Sequence, residues 1–167
     1  MNAVARFVAM AVEVRDAGEA DIDRLVELQI ALFDEDAGRH DPNTDLTWPR
    51  REGRSDLTAL LDGTESSLLV AEVEGVIVGF LAGYVHVASP VQAGARIAAL
   101  RSLYVSPAHR RSSAASALVE RFVEWARSRD CCQVDVMHYA ANAGAAALYE
   151  RLGFEPRSVL RVLPLDR

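Results

Sequence analysis

Apolar and polar positions alternate across Val12-Glu13-Val14-Arg15, the two-residue period of a half-buried strand. The pattern then changes to helical spacing. Ile22, Leu25-Val26, Leu28-Gln29 and Leu32-Phe33 recur three and four residues apart, with Ala20 or Asp21 leading in. That helix is expected to end in the acidic cluster Asp34-Glu35-Asp36, ahead of Gly38-Arg39-His40-Asp41-Pro42. Pro49 suits a helix start, and a second helix is predicted over 49–61, presenting Leu57, Leu60 and Leu61 and stopped by Asp62-Gly63. Strands follow over 67–73 and 76–87, joined by the tight turn Glu74-Gly75. Gly79 and Gly83 inside the longer strand predict a bulge or a close backbone approach.

A strand over 96–105 should pair antiparallel with the one before it, and Pro107 ends it because proline has no N–H for the ladder. The helical run Leu118-Val119, Phe122-Val123, Ala126 extends to about Arg129, and a strand over 133–137 comes next. Strand, helix, strand at this length implies a parallel, right-handed crossover. The sheet is therefore mixed, antiparallel first and parallel later. Asn142 caps a third helix carried by Ala145, Ala146, Leu148-Tyr149 and Leu152, and Gly153 closes it. A last strand is predicted over 159–163.

Composition narrows the picture. A chain of 167 residues, half of them hydrophobic, fits a single domain over 1–167, with 1–10 a loose N-terminal extension. A net charge of -6 argues against nucleic acid as a partner and permits a cationic small molecule. Every fixed cation is Arg, so no Lys Schiff base can form. Cys131 and Cys132 are adjacent, with no third Cys and no metal spacing, which suits a reduced compartment and no metal. The opening apolar run is too short for a signal segment and none is long enough to span a bilayer, so a cytoplasmic location without a membrane partner is expected.

Between strand and helix lies Ser106-Pro107-Ala108-His109-Arg110-Arg111-Ser112-Ser113-Ala114-Ala115. Ser112 and Ser113 stand where an N-cap belongs. Unpaired N–H groups, the positive end of the helix dipole and the charges of Arg110 and Arg111 would converge on one spot, an arrangement suited to a pyrophosphate, the other reading being an ordinary capped helix with solvated arginines.

Leu103-Tyr104-Val105-Ser106-Pro107, then Arg110 and a helix, then Asn142-Ala143-Gly144-Ala145-Ala146-Ala147-Leu148-Tyr149-Glu150-Arg151-Leu152-Gly153-Phe154, in this order, resemble the GNAT superfamily of acyl-CoA-dependent N-acetyltransferases. The resemblance implies an α/β class, GNAT-like fold with a central mixed sheet of about six to seven strands and about four helices. It also implies acetyl-CoA as acyl donor and a small amine as acceptor. The backbone at Leu103, Tyr104 and Val105 would pair with the pantetheine arm as an added strand. Amides of Arg110, Arg111, Ser112, Ser113, Ala114 and Ala115 would hold the pyrophosphate. Asn142 would bind the pantetheine side, and Tyr149 would lie near the thioester sulfur. Two positions depart from the family pattern: Ser113 replaces its first loop Gly, and Arg111 stands where another Gly is common.

For chemistry, Tyr149 is the candidate general acid for the departing thiolate, the other reading being a packed ring with its hydroxyl on a backbone carbonyl. The family often places an acid on the strand ahead of the Leu-Tyr-Val segment, whereas this chain has Arg101-Ser102. His138 is therefore the first candidate base and His86 the second, with a water relay standing beside both. Asp34, Glu35, Asp36, Asp41 and Asp45 favour a cationic acceptor entering over the first two helices. A homodimer through the 159–163 strand is left open. So is a second class of function, a non-catalytic acyl-CoA-binding or protein-interaction module, favoured by Arg101-Ser102 and Ser113.

Overall fold

The structure, a computed structural model, describes residues 11–165, so the extension expected over 1–10 lies outside the described residues. The chain divides into two compact units, Met1–Met137 and His138–Arg167.

In the first unit, β1 (Val12–Asp16), β2 (Ser66–Val73), β3 (Val76–Val87), β4 (Arg96–Val105) and β5 (Gln133–Val136) form one sheet in sequence order. The first four pair antiparallel, and β5 joins β4 in parallel. Glu74 and Gly75 both take positive φ (51° and 78°), the turn that matches strand twist in a two-residue hairpin. Helices α1 (Ile22–Leu32) and α2 (Trp48–Asp62) cover one face. There Ile22, Leu25, Leu28 and Leu57 pack with Leu68, Val70, Phe80, Ala82 and Tyr104. Helix α3 (Ala114–Ser128) covers the other face with Leu118, Val119 and Phe122. Gly83 is where that helix comes closest: a Cβ there would strike the Phe122 ring and sit 2.7 Å from the Ala99 carbonyl oxygen. The β3–β4 register slips between Ala82 and Gly83, which places both a bulge and a close approach at a predicted glycine.

Three expectations need correction. The sheet of the described residues has five strands, not six to seven. The strand expected over 159–163 is irregular backbone, with Val159, Leu160, Val162 and Leu163 each 76–82% exposed. Its β-branched composition is not enough, because a strand exists only where a neighbour takes its N–H and C=O groups. The first helix also does not stop at its acids. It continues through a π-turn, Phe33–Ala37, and one further α-turn, Gly38–His40. Phe33 stacks on Trp48 with centroids 5.7 Å apart, and Asp34 and Glu35 pair with Arg50 and Arg110, so much of the charge that should end the helix is compensated sideways.

The second unit holds α4 (Ala143–Arg151). The Asn142 side chain accepts the Ala145 N–H at 3.0 Å, and Gly153 at φ +85° follows the helix.

Candidate active site

The geometry of the site begins with the way β4 loses a neighbour halfway along. Ile97, Ala98, Ala99 and Leu100 pair with β3 on one side and with Gln133, Val134, Asp135 and Val136 on the other. At Arg101 the β3 register skips a residue, Leu100 facing Gly83 and Ser102 facing Ala82. Pairing with β5 stops at Leu100. From there to Val105, β4 has β3 on one side and no paired strand on the other among the described residues.

Antiparallel ladders alternate bonded and non-bonded pairs. Ser106 N–H donates to Val78 O at 2.8 Å, which makes Tyr104 and Phe80 the next bonded pair. Leu103 and Val105 then turn their N–H and C=O groups away from β3. The Val105 carbonyl accepts from Arg110 Nε at 2.9 Å instead. Leu103 N–H, Leu103 C=O and Val105 N–H remain as a strip of backbone donors and acceptors suited to an extended amide-bearing chain.

Beyond this edge, Pro107–His109 form one 3-10 turn and α3 begins at Ala114. Among the described residues no acceptor meets the N–H groups of Arg111, Ser112 or Ser113. Ser113 occupies the cap position with helical φ (-75°), a conformation its Cβ tolerates, but its hydroxyl makes no cap. Ser112 does that work: its Oγ accepts the Ala114 N–H at 3.3 Å and donates to His109 O at 2.6 Å. Arg111 sits at φ +61°, the left-handed region that favours glycine. Arg111, Ser112 and Ser113 are exposed, Ala114 is buried and Ala115 half-buried.

Arg110 does not present free charge to this loop. Its Nη1 and Nη2 donate to Glu35 Oε1 and Oε2 at 2.5 and 2.6 Å, and its guanidinium lies 5.5 Å from the Tyr104 ring centroid. The Tyr104 hydroxyl donates to Glu35 Oε2 at 3.4 Å. Arg110 holds the Glu35 carboxyl below the usual carboxylate range, against the opposing effect of burial. Burial first, and Glu35 second, push the Tyr104 phenol up. An acid 75 positions away in sequence thus compensates the Arg110 charge.

The other acids over the first two helices have partners too: Asp34 and Asp45 meet arginines, and Asp41 accepts the Asn43 N–H at 2.9 Å. Asp34 faces Arg50 at 3.7 Å, Asp36 faces His40 at 3.6 Å, and Asp45 accepts from Arg51 at 3.0 Å and from the Thr47 N–H and hydroxyl. The Thr47 hydroxyl and amide, then Arg51, hold Asp45 down to about 2.

In the second unit, the rings of His138 and Tyr149 stack with centroids 5.9 Å apart and planes 25° off parallel. Phe154 meets the Tyr149 ring edge-on at 5.4 Å. Tyr149 is buried and His138 exposed, with His138 Nδ1 3.0 Å from Tyr139 O. The unit thus brings together the two candidates for proton transfer. His86, on β3 of the first unit, lies against the Tyr84 ring at 6.2 Å.

Residues 24–154 match the model of the acetyltransferase (GNAT) family, and the chain belongs to that family. A curated relative, an uncharacterized N-acetyltransferase of Methanocaldococcus jannaschii, is 30% identical over 102 residues. That match covers 61% of this chain and 45% of the relative, so the chain spans under half the length of the protein it matches. Among solved structures, a transcriptional regulator from Bacillus halodurans C-125 superposes with a TM-score of 0.72 at 23% identity, covering 93% of this chain and all of that one. The aminoglycoside acetyltransferase AAC(6')-Iy, solved with the bisubstrate analogue CoA-S-monomethyl-acetylneamine, superposes at 0.74 with 15% identity, covering 94% of this chain and 99% of that one. At these identities the likeness is one of fold.

Proposed function

We propose that this chain is an N-acetyltransferase that moves the acetyl group of acetyl-CoA to the primary amine of a small acceptor, by direct attack within a ternary complex. The observation that carries the reading is the open edge of β4, with outward Leu103 and Val105 groups leading to the unpaired amides at the start of α3. These residues fit acetyl-CoA chemically: a strip of alternating donors and acceptors for the amides of the pantetheine arm, then free N–H groups for its pyrophosphate. Bound acetyl-CoA supplies an acyl group activated as a thioester. Outward N–H donors on β4 stabilise the oxygen on which charge develops as the amine attacks. Tyr149 gives its phenolic proton to the thiolate as the carbon–sulfur bond breaks, and His138 or a water relay takes the proton of the amine. Asn142, whose side chain caps α4, serves the pantetheine side.

A cationic acceptor is the finer part of the reading, supported by the density of acids between α1 and α2 and tempered by their arginine partners. A single acetyltransferase domain in a reducing, cytoplasmic setting completes it, supported by the free thiols Cys131 and Cys132. No helix among the described residues is long and apolar enough to cross a membrane. The competing reading, an acyl-CoA-binding module without turnover, is favoured by Arg111 in a left-handed conformation within the loop.

A thermal melt with acetyl-CoA, CoA and ATP tests the ligand. At a hundredfold excess over Kd, binding adds about 2.7 kcal/mol, or a shift of about 5–10 °C for a chain of this size. Stabilisation by acetyl-CoA and CoA but not ATP, with CoA released on adding amines, is expected. Stabilisation without release would favour the module, and no stabilisation at millimolar acetyl-CoA would contradict both.

A further inference from the structure

The bulge that opens the β4 edge also carries a polar network to which neither the cofactor nor the proton relay assigns a role. Arg101, the bulge residue, forks onto Asp56 of α2: Nη1 donates to Oδ1 at 3.0 Å and Nη2 to Oδ2 at 2.6 Å. A second donor reaches the same carboxylate from below, Gln29 Nε2 to Oδ2 at 3.3 Å. Gln29 is only 1% exposed, and its Oε1 has no hydrogen-bond partner. Reversing the amide would not help, since it would set Oε1 against Asp56 Oδ2, acceptor to acceptor. Gly53 makes the arrangement possible, because a Cβ there would lie 2.5 Å from Gln29 Oε1.

A buried amide that leaves one end unsatisfied in order to hold a carboxylate is costly, and such support is typical of groups whose orientation matters. Three hydrogen bonds occupy three of the roughly four lone-pair sites of a carboxylate. The remaining one is on Oδ1. The Asp56 side chain keeps 21% of its exposure, and Arg101, through which it meets β4, stands one residue past the last β5 pair and two before Leu103. Arg101 and Asp56 together are neutral, and the buried support goes to the acid rather than to the guanidinium.

We propose that Asp56 receives the ammonium group of the acceptor at the mouth of the open edge, and that Arg101 and Gln29 are positioning residues for it. This rests on the acetyltransferase reading and adds the residue that places the amine: the bound ammonium yields one proton to the water relay before its lone pair attacks the thioester carbon, and Asp56 keeps a hydrogen bond from an N–H that remains. The chain's departure from an acid on β4 is then answered by an acid on α2.

The test is steady-state kinetics of the full chain with spermidine, kanamycin and a dipeptide bearing a free N-terminus as acceptors. Asp56→Asn, which keeps shape and loses charge, should raise the acceptor KM by about ten- to a hundredfold, the range expected of a charge-assisted hydrogen bond. The KM for acetyl-CoA and the melting shift that acetyl-CoA produces should stay within about twofold and 1 °C, a KM-specific effect that a general structural role would not give. Asp56→Glu should recover part of the loss, and Arg101→Gln should cost less than Asp56→Asn. An unchanged acceptor KM in Asp56→Asn would overturn the inference while leaving the acetyltransferase reading intact. So would loss of the acetyl-CoA shift in that variant, which would make Asp56 a support of the fold. A larger loss in Arg101→Gln, confined to the dipeptide, would overturn it in favour of an arginine that reads an acceptor carboxylate. Absence of turnover by the wild type with all three amines would overturn the acetyltransferase reading and this inference with it.

Discussion

The two halves of β4 are one strand with opposite roles. From Ile97 to Leu100 every residue lies between two neighbours, and Ile97, Ala98 and Leu100 are buried. From Leu103 to Val105 the strand keeps β3 but not β5, and the outward backbone of Leu103 and Val105 is left for something other than the sheet. One skipped residue, Arg101, separates the two. A strand buried on both sides is stable and inert, whereas the same strand beyond a bulge becomes a recognition edge.

Proline placed in each half should break the comparison most sharply. Ala98→Pro removes a ladder N–H whichever neighbour it serves, and should cost about 3 kcal/mol or more, read as a lower midpoint in urea unfolding. Leu103→Pro removes an N–H that no strand among the described residues uses, so its cost in stability should be much smaller while acetyl-CoA stabilisation is lost. Equal destabilisation by both would contradict an open edge.

Next in size is Gly83→Ala, which drives a methyl group into the Phe122 ring and the Ala99 carbonyl beneath the locked half. About 1–3 kcal/mol of destabilisation is expected from overpacking, measured by the same unfolding midpoint.

The clasp of Arg110 on Glu35 should then give the open half a pH dependence. Glu35 is held below its ordinary value of about 4.3, so its contribution is complete above that pH and is lost as pH falls through the lowered folded value. Asp21, paired with Arg15 at 2.7 Å, is also held below its ordinary value, so its contribution is likewise lost as pH falls through its own lowered folded value. Glu35→Gln should remove about 1 kcal/mol near neutrality and flatten the acid limb of the stability curve, seen in melts across pH 2–6. A limb as steep in the variant as in the wild type would count against the clasp.

The smallest effect is expected at Arg111. Its left-handed backbone costs a side-chain-bearing residue about 1–2 kcal/mol, and the entropy of a glycine in the unfolded chain returns roughly 0.5–1 kcal/mol of that. Arg111→Gly should therefore raise stability by about 0.5 kcal/mol while weakening acetyl-CoA binding only if the side chain reaches phosphate.

What the sequence made legible was local. The hairpin at Glu74-Gly75, the bulge and close approach at Gly83 and the Asn142 cap follow from backbone needs of single residues and appear where expected. The partners of the charged residues were not legible. Nothing near Arg110 announces Glu35, and nothing near Arg101 announces Asp56, because only the packing of α1 and α2 on the sheet brings them together. One signal was present: Gln29 is a polar residue within the apolar stripe of Leu25, Leu28 and Leu32, where a buried amide needs a reason. The segment 159–163 failed in the opposite way, its strand-like composition having no neighbour among the described residues to pair with.

The most direct measurement is amide hydrogen exchange, residue by residue, with and without acetyl-CoA. In the free protein Leu103 and Val105 N–H groups should exchange fast, while Ala98 and Leu100 are protected to near the limit of global unfolding. On adding acetyl-CoA, Leu103 and Val105 should become protected and Ala98 and Leu100 should change little. Leu103 and Val105 already protected in the free protein, or unmoved by acetyl-CoA that stabilises the fold, would contradict the open edge as the donor's binding strand.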